Sequence, residues 1–428
     1  MKIVIVGNGV AGITCAMSAR QRDKDADITV VGGETEYFFS RTALMYAYMD
    51  VMTRQQLEPF ERKVYKQQRI ELVKDWVIDL NASAQTVTLQ GGGHLAYDKL
   101  VLAVGATPNM FPWKGMEQAR DGVVHFVSMQ DLDRCERLTP STKRAVVIGG
   151  GLIGIELVEC LRFHGVDVSF LIREPYYWPM ALGQEEGEYV ASHMREHGVD
   201  VRLREEMTRV HVDDSGRVAS IETNQGEQIE CQMLGIAAGV KPNIQRLRDW
   251  REAPELGRGI IVNEQFETSL PNVYAIGDCA EIHPKGKKPY NEQIWYSAKR
   301  HGRVVGRNLF DDGLSYEPPL FFNSSKFFEI EYTTVGEVMG LPEGTKTIYR
   351  KMPDKPISQR ILYVDGAVKG FNMLGSRWDH EVLSRWIHER RSPEFVLRHL
   401  HHAQYDVEFG RAALGKMTEE HIPLVHAK

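Results

Sequence analysis

MKIVIVGNGVAG, Met1 to Gly12, decides the fold. Ile3 to Val6 is an unbroken β-branched run, so Lys2 to Val6 reads as a strand buried on both faces. It passes directly into Gly7, Gly9 and Gly12, spaced G-x-G-x-x-G, and Val10 to Arg20 then carries good helix formers and no proline. In this strand–turn–helix setting each glycine has a task. Gly7 makes the tight turn, Gly9 lets the backbone approach a pyrophosphate, and Gly12 lets the helix pack close on the strand. The free amides of the helix start then face the ligand's negative charge. The stretch reads as a dinucleotide site. Ile28 to Val31 is its second strand, and Glu34, 22 residues after Gly12 (34 − 12), is placed to accept the ribose hydroxyls. Glu34 stands just beyond the strand end at Gly32, and a solvated loop acid is the other reading.

The same unit recurs. Lys143 to Ile148 leads into Gly149, Gly151 and Gly154 within GGGLIGIE, 142 residues on (149 − 7), and this internal repeat makes the chain an α/β protein. Val166 to Ile172 is the matching second strand, followed by Arg173 and Glu174. Glu174 can accept from an unmodified ribose diol and Arg173 can pair with a 2′-phosphate, and the balance leans slightly to the diol. Gly198 to Leu203, Arg217 to Thr223 and Gln228 to Leu234 read as further strands. IAAGVKPN, Ile236 to Asn243, closes the unit at Gly239.

Between the fingerprints, Glu36 to Met52 reads either as a core helix with Arg41 as its one charge, or as a segment under a cofactor with Arg41 facing the pyrophosphate. Ile70 to Leu80, Gln85 to Leu89 and Leu95 to Tyr97 look like short antiparallel strands. YDKLVLAVGATP, Tyr97 to Pro108, is a buried strand ending at a glycine. SLPNVYAIGDCA, Ser269 to Ala280, is another, and leads to a helix at Trp295 to Phe310. Beyond Pro318 and Pro319 the pattern turns to β, with a hairpin at Asp365-Gly366. Two helices follow, Asp379 to Glu389 and Pro393 to His402, the first with Val382, Leu383, Trp386 and Ile387 on one face.

Over 428 residues the chain is 43% hydrophobic and 26% charged with a net charge of −6, the profile of a globular protein with no electrostatic reason to bind nucleic acid. No apolar run approaches a membrane span, and no signal peptide is recognisable, so cytoplasm is expected. Cys15, Cys135, Cys160, Cys231 and Cys279 have no redox or zinc spacing and read as structural. His193 and His197 are i, i+4 on an expected helix, and His399, His401 and His402 cluster late. Without a third ligand or a matching motif, no metal is expected.

Two fingerprints, a glycine-ended strand between them and a late G-D resemble the pyridine nucleotide-disulfide reductase class over nearly the whole chain. The resemblance implies two Rossmann-like domains plus an α+β C-terminal interface domain. Their boundaries are 1–112 with 238–317 for FAD, 113–237 for NAD(P), and 318–428 for the interface. It implies that Asp278 of T-S-L-P-N-V-Y-A-I-G-D bonds the FAD ribitol beside Gly277. It places Val77 by the adenine, Ala103 to Gly105 along the FAD, and Trp295 to Ala298 against the flavin. Ile153 lies within the second nucleotide motif, G-G-G-x-I-G-x-E, whose glutamate, Glu156, falls close to where nicotinamide meets flavin. Where coenzyme A disulfide reductases and NADH oxidases keep a redox cysteine, this chain has Thr42. Arg41 fits the R-P-P-L-S-K of relatives that reduce ferredoxins, but the lysine is absent. Their W-S-D is replaced by Phe322, Asn323 and Ser324. Lys326 to Ile330, KFFEI, is similar to the oxidase branch.

The expected function is an FAD-dependent NAD(P)H oxidoreductase passing hydride to flavin and electrons to an iron–sulfur protein or rubredoxin, a quinone or dioxygen. The rival is an NADH-sensing flavoprotein resembling apoptosis-inducing factor. The C-terminal region, with Trp386 and Ile387, implies a homodimer.

Overall fold

The computed structural model describes residues 1–352, 357–405 and 418–420. Among them the chain forms two compact units. One comprises Met1–Phe111, Val124–Pro140 and Ala238–Glu317; the other comprises Pro112–Val123, Ser141–Ala237 and Pro318–Lys428. Segment 124–140, assigned with 113–237 on sequence grounds, packs with the first unit. There Ser128 caps the helix Met129–Leu138, and Glu34 accepts from the amide of Met129 at 2.9 Å. The region after Pro318 joins the second fingerprint in one compact unit. Its links there include the ion pairs Lys326–Glu159 (2.6 Å) and Arg360–Glu186 (3.1 Å) and the edge-on packing of Tyr177 on Phe327.

In the first unit, Lys2–Val6 is the central strand of a parallel sheet. The strand order is Val273–Ala275, Lys99–Leu102, Lys2–Val6, Asp27–Val31, Ile70–Val73. A central parallel strand has no solvent face, which is why Ile3 to Val6 are all apolar and all buried. The fingerprint helix Val10–Arg22 lies against Trp295–Asn308 with their backbones nearly touching. A Cβ on Gly302 would stand 2.5 Å from the carbonyl oxygen of Ala11, and one on Gly306 2.5 Å from the Cβ of Ser18. This small-residue seam is what brings the end of the unit back onto its beginning.

Three expectations change here. Ile70–Val73 is the outer parallel strand, and only Val77–Asn81 pairs antiparallel, with Thr86–Leu89. Alternation marks a strand but not its partner. Of Glu36 to Met52, only Leu44–Tyr48 is α-helical, after a tight 3₁₀ turn at Arg41–Ala43. The aromatic run before it, poor in helix propensity, buries Phe38 and Phe39 from a non-helical chain. Gln228 to Leu234 splits in two. Gln228–Glu230 completes an antiparallel sheet with Met207–Val212 and Val218–Thr223, while Met233–Ile236 joins Arg144–Ile148 in parallel.

The second unit repeats the parallel architecture in the order Asp200–Leu203, Asp167–Ile172, Arg144–Ile148, Met233–Ile236, Val123–Val124. It also carries the antiparallel sheet Phe322–Phe327, Ile330–Gly336, Ala367–Leu374, Ser358–Val364, Lys346–Lys351, Thr418–Glu420. Its Asp365-Gly366 turn has both φ angles positive (48° and 72°), as a two-residue I′ hairpin requires. Asp379 and Ser392 cap the helices His380–His388 and Pro393–His399. Leu383 and Trp386 are buried with Val335, Ile361 and Phe371, and Val382 and Ile387 pack on the same cluster. The apolar helix face on which the homodimer expectation rested is therefore covered within the unit.

The helix seam gives a direct test. Gly302→Ala gains about 1 kcal/mol of helix propensity but drives a methyl into the Ala11 carbonyl. A net loss of roughly 1–3 kcal/mol is expected in urea unfolding; an unchanged midpoint would show that the two helices separate freely.

Candidate functional site

The first glycine turn shows which glycines the fold requires. Gly7 has φ +114°, and a Cβ there would lie 2.1 Å from the carbonyl oxygen of Ala103; a Cβ on Gly12 would lie 2.0 Å from that of Gly7. Both are dictated by the protein's own backbone. Gly9 is not: a Cβ there meets no protein atom within 4 Å. A side chain at that point would project into open space beside the helix start, where a ligand's pyrophosphate would have to approach. Asn8, between them, donates through Nδ2 to the Thr35 carbonyl at 2.7 Å and so anchors the loop after the second strand.

The late G-D turn meets this site. Gly277 has φ +73°, and its Cβ position is 2.9 Å from the Cβ of Ala11, on the first turn of the fingerprint helix. The carboxyl of Asp278 is pushed up to about 6 by burial, with the positive charge of Arg41 pulling the other way. No other described residue donates a hydrogen bond to it. Such an acceptor suits a polyhydroxyl chain. The turn is held from behind by His301, which sequence reasoning missed. His301 is fully buried; its Nδ1 accepts from the Gly277 amide at 3.2 Å, so Nε2 carries the hydrogen and donates to Glu292 at 3.1 Å. Burial holds this imidazole below its usual range. Burial alone would raise Glu292, but hydrogen bonds from His301, Tyr316 (2.7 Å) and Ser297 (3.1 Å) outweigh it and hold the carboxyl low. The sequence signal was a histidine on a helix face otherwise made of Ala298, Gly302, Val305 and Gly306.

Glu34 and Arg41 are bonded to each other. Glu34 Oε1 accepts from Arg41 Nη1 at 3.1 Å, Oε2 pairs with Nη2, and Arg41 Nη1 also reaches the Val127 carbonyl at 2.7 Å. Glu34 is thus a structured, mostly covered acid rather than a solvated one. Ala103 and Gly105 follow the strand Lys99–Leu102, and Gly105 (φ +70°) accepts from the Asn243 amide at 2.9 Å. Trp295 stacks on Phe38 with 5.8 Å between centroids. Val77 packs on the core of the unit, beside Trp76, whose indole covers Gly33. Gly239 lies in this first unit, its carbonyl accepting from the Asn109 amide at 3.0 Å. Thr42 is exposed, its hydroxyl 3.0 Å from that of Ser40.

The second unit repeats the cradle. Gly149 has φ +106°, a Cβ on Gly154 would lie 2.1 Å from its carbonyl, and one on Gly151 meets nothing within 4 Å. Ile153 opens the helix Leu152–Phe163 beside them. Arg173 and Glu174 form an ion pair of 2.8 Å, with Arg173 71% and Glu174 29% exposed. One turn on, the Glu156 carboxyl is pushed up to about 7, first by burial and then by the charge of Glu159, against the pull of Lys326.

Among the described helices longer than eight residues, three start with no side-chain cap and no acid in the first turn: Val10–Arg22, Leu152–Phe163 and Trp295–Asn308. The amides at the two glycine turns are those an anion would take. The residues present at each turn therefore fit the pyrophosphate of a dinucleotide such as FAD or NAD(P)H. The cysteines do not extend this chemistry. All five are buried and none is in a disulfide; the Cys279 thiol, pushed up to about 12 by burial, donates to the carbonyls of Ile276 (3.2 Å) and Leu102 (3.5 Å). No helix of the described residues is long and apolar enough to cross a membrane.

Comparison with known proteins agrees with this geometry. The chain is 32% identical over 384 residues to rhodocoxin reductase of Rhodococcus erythropolis, covering 89% of this chain and 88% of that protein. It is 28% identical over 348 residues to an NADH oxidase of Methanocaldococcus jannaschii, covering 78% and 76%. The fold matches a crystal structure of the covalent putidaredoxin reductase–putidaredoxin complex with a TM-score of 0.80 at 23% identity, over 92% of this chain and 95% of that one. Residues 1–302 match the profile of the pyridine nucleotide-disulphide oxidoreductases. A chain with that match, two ligand cradles and a G-D turn seated on the first of them belongs to the pyridine nucleotide-disulphide oxidoreductase family, as an oxidoreductase using FAD and NAD(P)H.

Proposed function

We propose that this oxidoreductase takes its hydride from NADH and delivers electrons to an acceptor that meets the flavin without a protein thiol between them. The observation that carries this is the pairing of Thr42, where relatives with a disulfide relay keep a cysteine, with five thiols that are all buried. Bound FAD supplies the hydride-accepting and electron-donating chemistry. The chain's residues supply position and charge. Gly7, Gly9, Gly12, Arg41 and the open helix start at Val10 hold the pyrophosphate, Glu34 the ribose, and Gly277 and Asp278 the ribitol. Ala103, Gly105, Trp295 and Val77 line the same cofactor, and the first compact unit is its domain. Gly149, Gly151, Ile153 and Gly154 hold the nicotinamide nucleotide in the second. Glu174 accepts from its ribose diol; a 2′-phosphate would have to draw Arg173 out of its ion pair, which favours NADH. Glu156 is a positioning residue that holds a proton on its carboxyl up to about neutral pH.

Likeness to rhodocoxin reductase supports a small iron–sulfur protein or rubredoxin as the acceptor, ahead of a quinone or dioxygen. The relatives are named for catalysis, so sensing through NADH-dependent association is the less supported role. Five thiols with no disulfide among them suit a reducing compartment such as the cytoplasm.

The decisive experiment is steady-state turnover with NADH and NADPH against ferredoxin, rubredoxin, quinone and oxygen. Fast reduction of one acceptor with a preference for NADH is expected. Turnover abolished by alkylating the protein's thiols while flavin stays bound would overturn the direct transfer.

Gly9 separates site from fold. Gly9→Val adds atoms where no protein atom stands within 4 Å. The variant should fold with an unchanged far-UV spectrum yet purify colourless, whereas acid precipitation of the wild type should release FAD. A yellow Gly9→Val protein would remove Gly9 from the cradle.

Glu156 gives a pH signature. Its carboxyl binds a proton more tightly folded than unfolded, so its contribution to stability is complete below about pH 4.5 and is lost as pH rises through about 7. The melting temperature of Glu156→Gln should therefore gain on that of wild type between pH 5.5 and 8.5. A constant difference across that range would place the carboxyl in an ordinary solvated setting.

A further inference from the structure

The histidine pair set aside on sequence grounds acquires a third group in the fold. The helix Gln184–Glu196 presents His193 and, at its C-cap, His197. Glu329 stands opposite them in the two-residue turn between the strands Phe322–Phe327 and Ile330–Gly336. Its Oε2 is 3.0 Å from Nε2 of His193 and 3.0 Å from Nε2 of His197, and the three groups' ligand atoms all lie within 4.8 Å of one another.

The hydrogen bonds also fix which nitrogen of His197 faces the carboxylate. His197 Nδ1 lies 2.9 Å from the carbonyl oxygen of His193, and a carbonyl can only accept, so Nδ1 carries the hydrogen. In the neutral ring, Nε2 then turns its lone pair toward a carboxylate oxygen. That contact is repulsive unless a second proton or a metal cation lies between them. A backbone carbonyl fixing one ring nitrogen so that the other is free is how proteins orient a metal-ligating histidine. His193 has a similar partner, the Glu196 carboxylate, 3.7 Å from its Nδ1. Phe328, buried in the same turn, packs on both imidazoles with centroids at 6.3 and 4.8 Å. The helix itself is fixed near its other end by the Arg360–Glu186 pair (3.1 Å).

We propose that His193, His197 and Glu329 bind one divalent transition-metal ion of the zinc class through Nε2, Nε2 and a carboxylate oxygen. The ion would clamp the helix onto the hairpin. Two imidazoles and one carboxylate form the donor set of open zinc centres, while calcium and magnesium take oxygen donors. Ligand bonds of about 2.0–2.2 Å set tetrahedral edges of about 3.3–3.5 Å, so the histidine–histidine edge, within 4.8 Å, must close toward that length and the two 3.0 Å edges must open by a few tenths of an ångström. Glu329, 70% exposed at a hairpin tip, is free to do so. Water takes the remaining positions. The site is separate from the flavin chemistry, and its failure would leave that reading intact.

The test uses the untagged flavoprotein, stripped with chelator, dialysed and titrated with zinc chloride in a calorimeter, with the melting temperature followed in parallel. One ion per chain and a raised melting temperature are expected. His193→Gln, His197→Gln and Glu329→Gln should each weaken binding at least about tenfold and abolish the melting shift, with flavin content unchanged. His399, His401 and His402 remain in every variant, so any zinc they take is common background. Equal binding by wild type and all three variants would overturn the site, as would no binding by the wild type, which would leave a plain histidine–glutamate ion pair. Should a histidine variant lose its flavin, Glu329→Gln on the exposed tip carries the comparison.

Discussion

The structure depends on one close contact made twice: a helix whose third glycine lies against the carbonyl of the first. Gly12 over Gly7 and Gly154 over Gly149 leave 2.0 and 2.1 Å for a Cβ that neither residue has. That absence lets each helix start directly at its strand's end, where its amides are free for phosphate. The rest of the first unit follows from this placement. Ala103 seats its carbonyl under Gly7, the G-D turn rests on Ala11, and Gly302 and Gly306 let the last long helix lie along the fingerprint helix.

Much of this was legible in the sequence because glycines at short spacing have few physical explanations. The strand Lys2–Val6, its repeat at Arg144–Ile148 and the Asp365-Gly366 hairpin are each specified by local residues. Partners at long range were not legible. Ile70–Val73 alternates like an antiparallel strand, and only its neighbour Asp27–Val31 makes it parallel. Segment 124–140 reads as part of the second fingerprint until Glu34 caps its helix. Trp386 and Ile387 looked available to a second chain, and the sheet beneath them took them instead. His301 carries no motif, and the KFFEI resemblance around Glu329 does not announce its neighbours, because these depend on Gly277 and on His197, 24 and 132 residues away (301 − 277 and 329 − 197).

Electrostatics divides the work between the two cradles. At each, one carboxyl is held near neutrality by burial, Asp278 at about 6 and Glu156 at about 7. Neither is matched by a bonded cation, although Arg41 and Lys326 lie close enough to pull each down. Arg41 is engaged by Glu34 and Lys326 by Glu159. A full ion pair at either carboxyl would have driven its pKa well below the ordinary range and fixed it as a charge. With each cation engaged by a neighbouring acid, burial remains the dominant influence on each carboxyl.

The thiols follow the opposite rule. A cysteine that relays electrons must be reached by its partner and must ionise, which calls for exposure and a depressed pKa. Cys279 has neither, although it directly follows Asp278. Its sulfur donates to two backbone carbonyls of its own unit, and burial holds its proton firmly. Burial works on Asp278 and Cys279 in the same direction, but from different starting points. It lifts the carboxyl into the range where it responds to a ligand, and lifts the thiol out of the range where it could react. Two adjacent residues in one turn are thereby set apart by a single physical cause, in keeping with the proposed electron path from flavin to acceptor without a thiol between them.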